Sequence, residues 1–313
     1  MKTIHYYGMV LTLMGLIGCS QSNSTPTPAT HDAPATTRAA RPPRPPQTPV
    51  LADTTIEHRN IPYGDADPSL NTLDLYAPKN ANHAPVILFI HGGEWTKGDK
   101  RDVSSKPKFF NEHGIIFASA NYRLSPKATH PAQVSDVAGA VAWLKTHISK
   151  FGGDPNRIFI MGHSAGCHLV TLVTLDPQYL EQFGMKPTDI RGVIAWSGGM
   201  YNLPDREKGT GQYPAYIRAT FGDSESAQWA ASPRAHVDNA QSAPPYLFAS
   251  LDDPHSANSR AAAQEMVDQI NQHGGRAQQV ILRGKSHFAA NHELGAPGDT
   301  TGRIILDWMQ STR

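Results

Sequence analysis

Between residues 55 and 282 the chain alternates short apolar, β-branched or aromatic runs with longer stretches whose apolar residues recur at helical spacing. Eight runs predict strands: Thr55 to Asn60, Thr72 to Tyr76, Val86 to Ile90, Ile115 to Ala120, Arg157 to Met161, Gly192 to Ser197, Tyr246 to Ser250 and Gln278 to Leu282. Runs such as Val86-Ile87-Leu88-Phe89-Ile90 carry no polar alternation, the pattern of a strand buried on both faces. After Pro131, residues Val134, Val137, Ala138, Val141 and Ala142 recur at helical spacing, and Ala262, Met266, Val267 and Ile270 do so ahead of Gly274-Gly275. Strand and helix in turn predict one α/β domain over residues 51–313, a mostly parallel sheet with helices on both faces. The stretch from Tyr201 to about Pro233 breaks the alternation. Its aromatics Tyr201, Tyr213, Tyr216, Phe221 and Trp229 fit either a small cap over a pocket or a solvent loop with aromatic anchors.

The first fifty residues follow other rules. Lys2 and His5 precede an apolar stretch from Met9 to Ile17, too short to span a bilayer and suited to the core of an export signal. Its end, Leu16-Ile17-Gly18-Cys19, resembles the bacterial lipobox, which implies a signal peptide over residues 1–18 and a lipid on Cys19. Ser20 stands where an aspartate would retain an enteric-type lipoprotein at the inner membrane. The resemblance therefore implies an outer-membrane anchor facing the periplasm or the exterior. Residues 19–50 are rich in Ser, Thr, Ala and Pro and end in Arg41-Pro42-Pro43-Arg44-Pro45-Pro46, with almost nothing to bury. They read as a tether, which at about 3 Å per residue of extended polyproline could hold a domain several nanometres from its lipid.

With 28 basic against 27 acidic residues, the net charge of +1 gives no field that would gather nucleic acid, and no basic aromatic surface or phosphate-binding glycine loop is present. There are two cysteines, Cys19 and Cys167, so no structural disulfide is expected. His287, His292 and Glu293 lack the spacing of a zinc helix, and Asp65-Ala66-Asp67 is too little for a calcium loop; neither metal nor cofactor is implied.

The chemistry sits at strand ends. Arg157 to Met161 runs into Gly162-His163-Ser164-Ala165-Gly166 and then into an apolar helical run through Leu169, Val170, Leu172 and Val173. Strand, G-x-S-x-G turn and helix together form the context of a nucleophile elbow, where flanking glycines let the serine occupy a strained turn above the sheet. A serine hydroxyl is a poor nucleophile near neutral pH and needs a base plus a group that orients the base. The strand from Pro245 to Ser250 ends at Asp252-Asp253-Pro254, and the strand through Leu282 ends at Gly284-Lys285-Ser286-His287-Phe288. The order Ser, Asp, His suits such an elbow. Among 15 histidines His287 is the candidate base, ahead of His255 and His292, because it alone follows the last strand closely. Asp252 and Asp253 compete for the acid. Val86 to Ile90 leads into His91-Gly92-Gly93-Glu94-Trp95, a loop that can offer Gly93 and Gly92 N–H groups to a developing oxyanion, together with Ala165 after the nucleophile.

From about Ile61 to Trp308 the sequence resembles the α/β-hydrolase esterases related to hormone-sensitive lipase, and more closely the feruloyl or acetyl esterase-like and kynurenine-formamidase-like enzymes. The resemblance rests on Tyr63-Gly64 with Leu73-Asp74-Leu75-Tyr76, His91-Gly92-Gly93-Glu94-Trp95 with Gly98-Asp99-Lys100, Asn121-Tyr122-Arg123-Leu124, Gly152-Gly153-Asp154-Pro155, and the Ser164 elbow. It implies the α/β-hydrolase fold and acyl transfer on Ser164 with His287 as base. It favours Asp253 as acid, three residues after a small strand-end Ser250 and just before Pro254. The implied substrate is a small ester. An amide or formamide, a peptide, or no substrate at all on a surface binding protein are the alternatives. Glu94 departs from the third glycine of many lipase-like loops and is expected to point away from the oxyanion; Arg123 and Asp136 are expected to pair structurally.

Overall fold

A computed structural model describes residues 48–208 and 213–312. The expected export signal (1–18), the lipidation site Cys19 and all but the last residues of the tether lie outside the described residues.

All eight expected strands form: β1 (Thr55–Pro62), β2 (Thr72–Pro78), β3 (Ala84–Ile90), β4 (Ile116–Ala120), β5 (Gly153–His163), β6 (Gly192–Trp196), β7 (Tyr246–Leu251) and β8 (Ala277–Leu282). They make one sheet in the order β1-β2-β4-β3-β5-β6-β7-β8. The pairs β1/β2 and β2/β4 are antiparallel and all others parallel. β5 is longer than the apolar pattern indicates, because Gly153 already pairs with Ala84 before the hydrophobic run begins.

The helices among the described residues are α1 (Lys106–Glu112), α2 (Ala132–His147), α3 (Ala165–Leu175), α4 (Gln178–Glu181), α5 (Leu203–Glu207), α6 (Tyr213–Phe221), α7 (Glu225–Ala230), α8 (Ala257–Gln272), α9 (His287–His292) and α10 (Thr301–Ser311). Successive side chains along a strand point to opposite faces, so an all-apolar strand needs a partner layer on each. In β3, Val86, Leu88 and Ile90 join the core beneath α2, α3 and α8, while Ile87 and Phe89 join a second core with Phe110 of α1 and Ile305 and Trp308 of α10. Fully burying one such side chain contributes roughly 1.5–3 kcal/mol.

The chain passes from β3 to β4 on one side and then returns to place β5 on the other. Such a reversal opens a crevice at the carboxyl ends of the strands, where open α/β sheets bind ligands. β3 and β5 end there in the His91–Trp95 loop and the Ser164 turn. The stretch from Tyr201 to Pro233 holds α5, α6 and α7 rather than bare loop. Phe221 of α6 packs edge-on against Trp95 and His168, at 4.9 and 5.2 Å between ring centroids, which seats α6 beside the His91–Trp95 loop.

Candidate active site

Ser164 is the single residue between β5 and α3, with φ 54° and ψ −116°. A serine gains nothing locally from that conformation, which costs of order 1–3 kcal/mol and persists only where its surroundings enforce it. Close packing does so here. A Cβ on Gly162 would stand 2.2 Å from the Gly166 carbonyl oxygen, and one on Gly166 would stand 2.2 Å from that of Ile90. Ser164 N donates to Trp196 O at 3.4 Å, and Ser164 O accepts from Cys167 N at 2.9 Å. Among the described residues the Ser164 hydroxyl has no hydrogen-bond partner. It stands at the N-terminus of α3, whose first N–H groups, including that of Ala165, lack intrahelical acceptors. Cys167, one turn on, is buried with its thiol directed to the Gly162 and Trp196 carbonyls, and burial pushes its pKa up.

The glycine loop lies alongside. A Cβ on Gly92 would come within 2.9 Å of Ser164 Cβ, and Gly93 has φ +113° with the Lys97 carbonyl where a side chain would sit. Glu94 and Trp95 also have positive φ, 52° and 60°. Glu94 pairs with Lys97 Nζ at 2.9 Å. Behind the loop, the Tyr122 ring stacks on His91 at 4.4 Å and its hydroxyl donates to His91 O at 3.2 Å. Lys100 is clamped by Asp74 at 2.5 Å and Asn60 at 2.7 Å, and its N–H by Asn121 at 2.6 Å. Arg123 pairs with Asp136 at 2.7 Å, as expected. The residues that carry the resemblance thus brace the loop.

His287 opens α9, whose N-cap Ser286 accepts from Ala289 N at 3.1 Å. Its Nδ1 lies 2.8 Å from Ser197 Oγ. Its ring lies 4.5 Å from that of His163, whose Nε2 donates to the His287 carbonyl at 3.2 Å. His287 keeps solvent access, yet protein crowds the ring, and the crowding governs its titration: burial holds the pKa below 6.5, while Glu94 and then Asp253 pull the other way. His163 is driven well below 6.5, first by burial and then by the His287 charge, so it stands neutral.

The two aspartates separate. Asp252 Oδ1 accepts from Gly284 N at 3.0 Å and so ties the end of β7 to the turn after β8. Asp253 caps the turn at Pro254–Ser256, accepting from His255 N at 3.0 Å, and a hydrogen bond from the Ser256 side chain holds its carboxyl below the usual range. Among the described residues no hydrogen bond joins Asp253 to His287; the carboxylate acts on it through space. His255 is exposed on that same turn, and His292 contacts Ser104 at 3.2 Å, away from Ser164. Sequence reasoning overlooked Ser197 and His163. The available signal for Ser197 was its place in Trp196-Ser197-Gly198-Gly199, a small-residue turn at a strand's carboxyl end. A separate cleft of about 350 Å³, lined by Tyr246, Arg276 and Trp308, opens at the starts of β7 and β8, the opposite strand ends from Ser164.

The BD-FAE family profile matches residues 73–265. The chain belongs to the BD-FAE family. This BD-FAE chain is similar to the probable isoprenylcysteine alpha-carbonyl methylesterase ICMEL1 of Arabidopsis thaliana, 30% identical over 244 residues covering 73% of this chain and 50% of that protein. It is also similar to Esterase LipQ of Mycobacterium tuberculosis, 32% identical over 224 residues covering 67% and 52%. The chain spans about half the length of these relatives. Esterase B from Lactobacillus Rhamnosis superposes with a TM-score of 0.70 at 19% identity, covering 84% of this chain and 88% of that one. The metagenomic carboxylesterase EstE1 does so with a TM-score of 0.64 at 20% identity, covering 85% and 89%. Together with the sheet order, these superpositions identify the α/β-hydrolase fold expected from the elbow.

Proposed function

We propose that this chain is a serine carboxylesterase. The observation that carries the reading is Ser164, held at φ 54° between β5 and α3 with an unengaged hydroxyl against a glycine loop. In this mechanism His287 Nε2 takes the Ser164 proton as Oγ attacks the ester carbonyl, and the carbonyl oxygen becomes an oxyanion. N–H groups of Gly92, Gly93 and Ala165 receive that charge, each such donor being worth about 3 kcal/mol in the transition state. The imidazolium then protonates the departing alkoxide, leaving an acyl-Ser164 ester. Water, deprotonated by His287, attacks this ester and releases the acid and free Ser164. Asp253 stabilises the imidazolium through its field.

A glycine loop beside a half-buried serine suits an uncharged carbonyl, and Glu94 disfavours anionic acyl groups near His287. Short or aromatic acyl esters are the proposed substrates. The relatives named as methylesterases and esterases support an ester bond over an amide. The lipobox resemblance at Cys19 adds the proposal that the enzyme is exported and tethered by lipid to a bacterial membrane. The test is hydrolysis of p-nitrophenyl acetate, butyrate and octanoate, methyl ferulate and N-formylkynurenine by the parent chain and Ser164→Ala. Ester turnover abolished by the substitution is expected. Turnover of N-formylkynurenine alone would reassign the bond to a formamide, and no turnover by a folded parent would favour a binding role.

A further inference from the structure

The group at hydrogen-bond distance from the candidate base's Nδ1 is a hydroxyl. Ser197 follows the last residue of β6, and its Oγ lies 2.8 Å from His287 Nδ1 across 90 residues of sequence. It is buried, at 5% exposure. Its backbone sits at φ 58°, a region where serine is uncommon, and is pinned there by the hydrogen bond from Ser197 N to Ala249 O at 2.8 Å. Asp253, the acid favoured by sequence, is meanwhile engaged within its own turn. Strained, buried and aimed at the base, Ser197 has the features of a residue held for its side chain.

We propose that Ser197 is a positioning residue for the reaction, its hydroxyl accepting the Nδ1–H of His287 and so leaving Nε2 as the lone-pair nitrogen, the one able to take the Ser164 proton. An imidazole has two tautomers, and the partner of one nitrogen decides which is present. If Nδ1 donates to Ser197, only Nε2 can take a proton from the nucleophile. The same hydrogen bond survives when His287 becomes imidazolium, since Nδ1 is a donor in both states. Nothing at this contact has to reorganise during proton transfer. Asp253 and Glu94 supply the negative field that a hydroxyl lacks. Ser197 thus supplies the geometry and the carboxylates the charge.

This inference rests on Ser164 and His287 being nucleophile and base, and its test separates the two. On the full chain, kcat and KM for p-nitrophenyl butyrate are compared among the parent, Ser164→Ala, Ser197→Ala and Ser197→Gly. Glycine relieves the positive φ and alanine does not, so a loss common to both belongs to the hydroxyl. Misplacing a reacting group by about 1 Å costs on the order of 100-fold. Both Ser197 variants are therefore expected to lose kcat by about that factor with KM within about twofold. In parallel, ¹⁵N spectra of histidine-labelled parent protein at pH 8 are expected to show His287 protonated at Nδ1. Loss of this single tautomer is expected in Ser197→Ala. Unchanged kcat in both variants, or a parent His287 protonated at Nε2, overturns the proposal. If the variants do not fold, the parent spectrum alone decides it. If Ser164→Ala keeps full turnover, the assignment of Ser164 as nucleophile fails while the tautomer result still stands or falls by itself.

Discussion

Lys106→Met is expected to raise stability at pH 6 and to remove part of the protein's gain in stability toward pH 9. Lys106 is fully buried in α1; its ammonium donates to Asn291 O of α9 at 2.6 Å and lies 4.9 Å above the Phe89 ring. One hydrogen bond and one ring replace its hydration, and burial pushes its pKa from 10.5 down to about 7 against the pull of Asp102. At about 1.4 kcal/mol per pH unit, the folded state gives up roughly 5 kcal/mol to keep the ammonium charged below pH 7. Between pH 7 and 10.5 the unfolded chain keeps a proton that the folded chain has shed. Stability from this group therefore rises with pH across that window and is flat below it. From pH 6 to pH 9 the rise is roughly 2 to 3 kcal/mol. Methionine preserves most of the apolar stem, has no charge, and leaves the Asn291 carbonyl without its donor at a cost of about 1–3 kcal/mol. The variant should thus be more stable than the parent by roughly 2 kcal/mol or more at pH 6, with the advantage shrinking or reversing at pH 9. Urea unfolding of both proteins at pH 6, 7, 8 and 9 measures it, because groups common to both cancel in the difference. A difference that stays constant over this range would refute the reasoning.

Gly166→Ala should cost about 3 kcal/mol or more and most of the turnover, because its Cβ would lie 2.2 Å from Ile90 O, where β3 meets the glycine loop; thermal unfolding and ester assays report both. Asp136→Asn should destabilise by about 3 kcal/mol, read by urea unfolding, since it strips the Arg123 guanidinium of its counter-charge and of one of two acceptor oxygens; the low end of the buried-pair range applies because Arg123 is a quarter exposed. The active form of His287 is neutral and its pKa is depressed, so the midpoint of the acid limb of kcat/KM should lie below the 6.5 of an ordinary imidazole. Glu94→Gln, which removes a charge that raises that pKa, should move the acid limb to lower pH still, and a limb that moves upward would contradict the assignment.

The sheet and the elbow were legible because their signals are local. An all-apolar run such as Val86 to Ile90 can satisfy itself only between two covering layers, and strand, glycine-flanked serine and helix occupy one contiguous stretch around Ser164. The partner of His287 was not legible. Its contact joins residues 90 apart, and the small-residue turn at the end of β6 that holds Ser197 does not by itself say which residue its hydroxyl meets. Asp252 and Asp253 are adjacent and chemically alike; only the fold shows that one meets Gly284 N and the other its own turn. The burial of Lys106 was not legible either, since nothing in its sequence neighbourhood announces that α9 and Phe89 enclose it.

The central claim is that Ser164 is the acylated nucleophile. Its most direct test is covalent trapping: the parent chain, Ser164→Ala and His287→Ala are incubated with a p-nitrophenyl alkylphosphonate ester, and the adduct is mapped by peptide mass spectrometry. The account predicts one phosphonyl group on the peptide carrying Ser164 in the parent, none in Ser164→Ala, and strongly slowed labelling in His287→Ala. An adduct on another residue, or equal labelling of parent and Ser164→Ala, would contradict it.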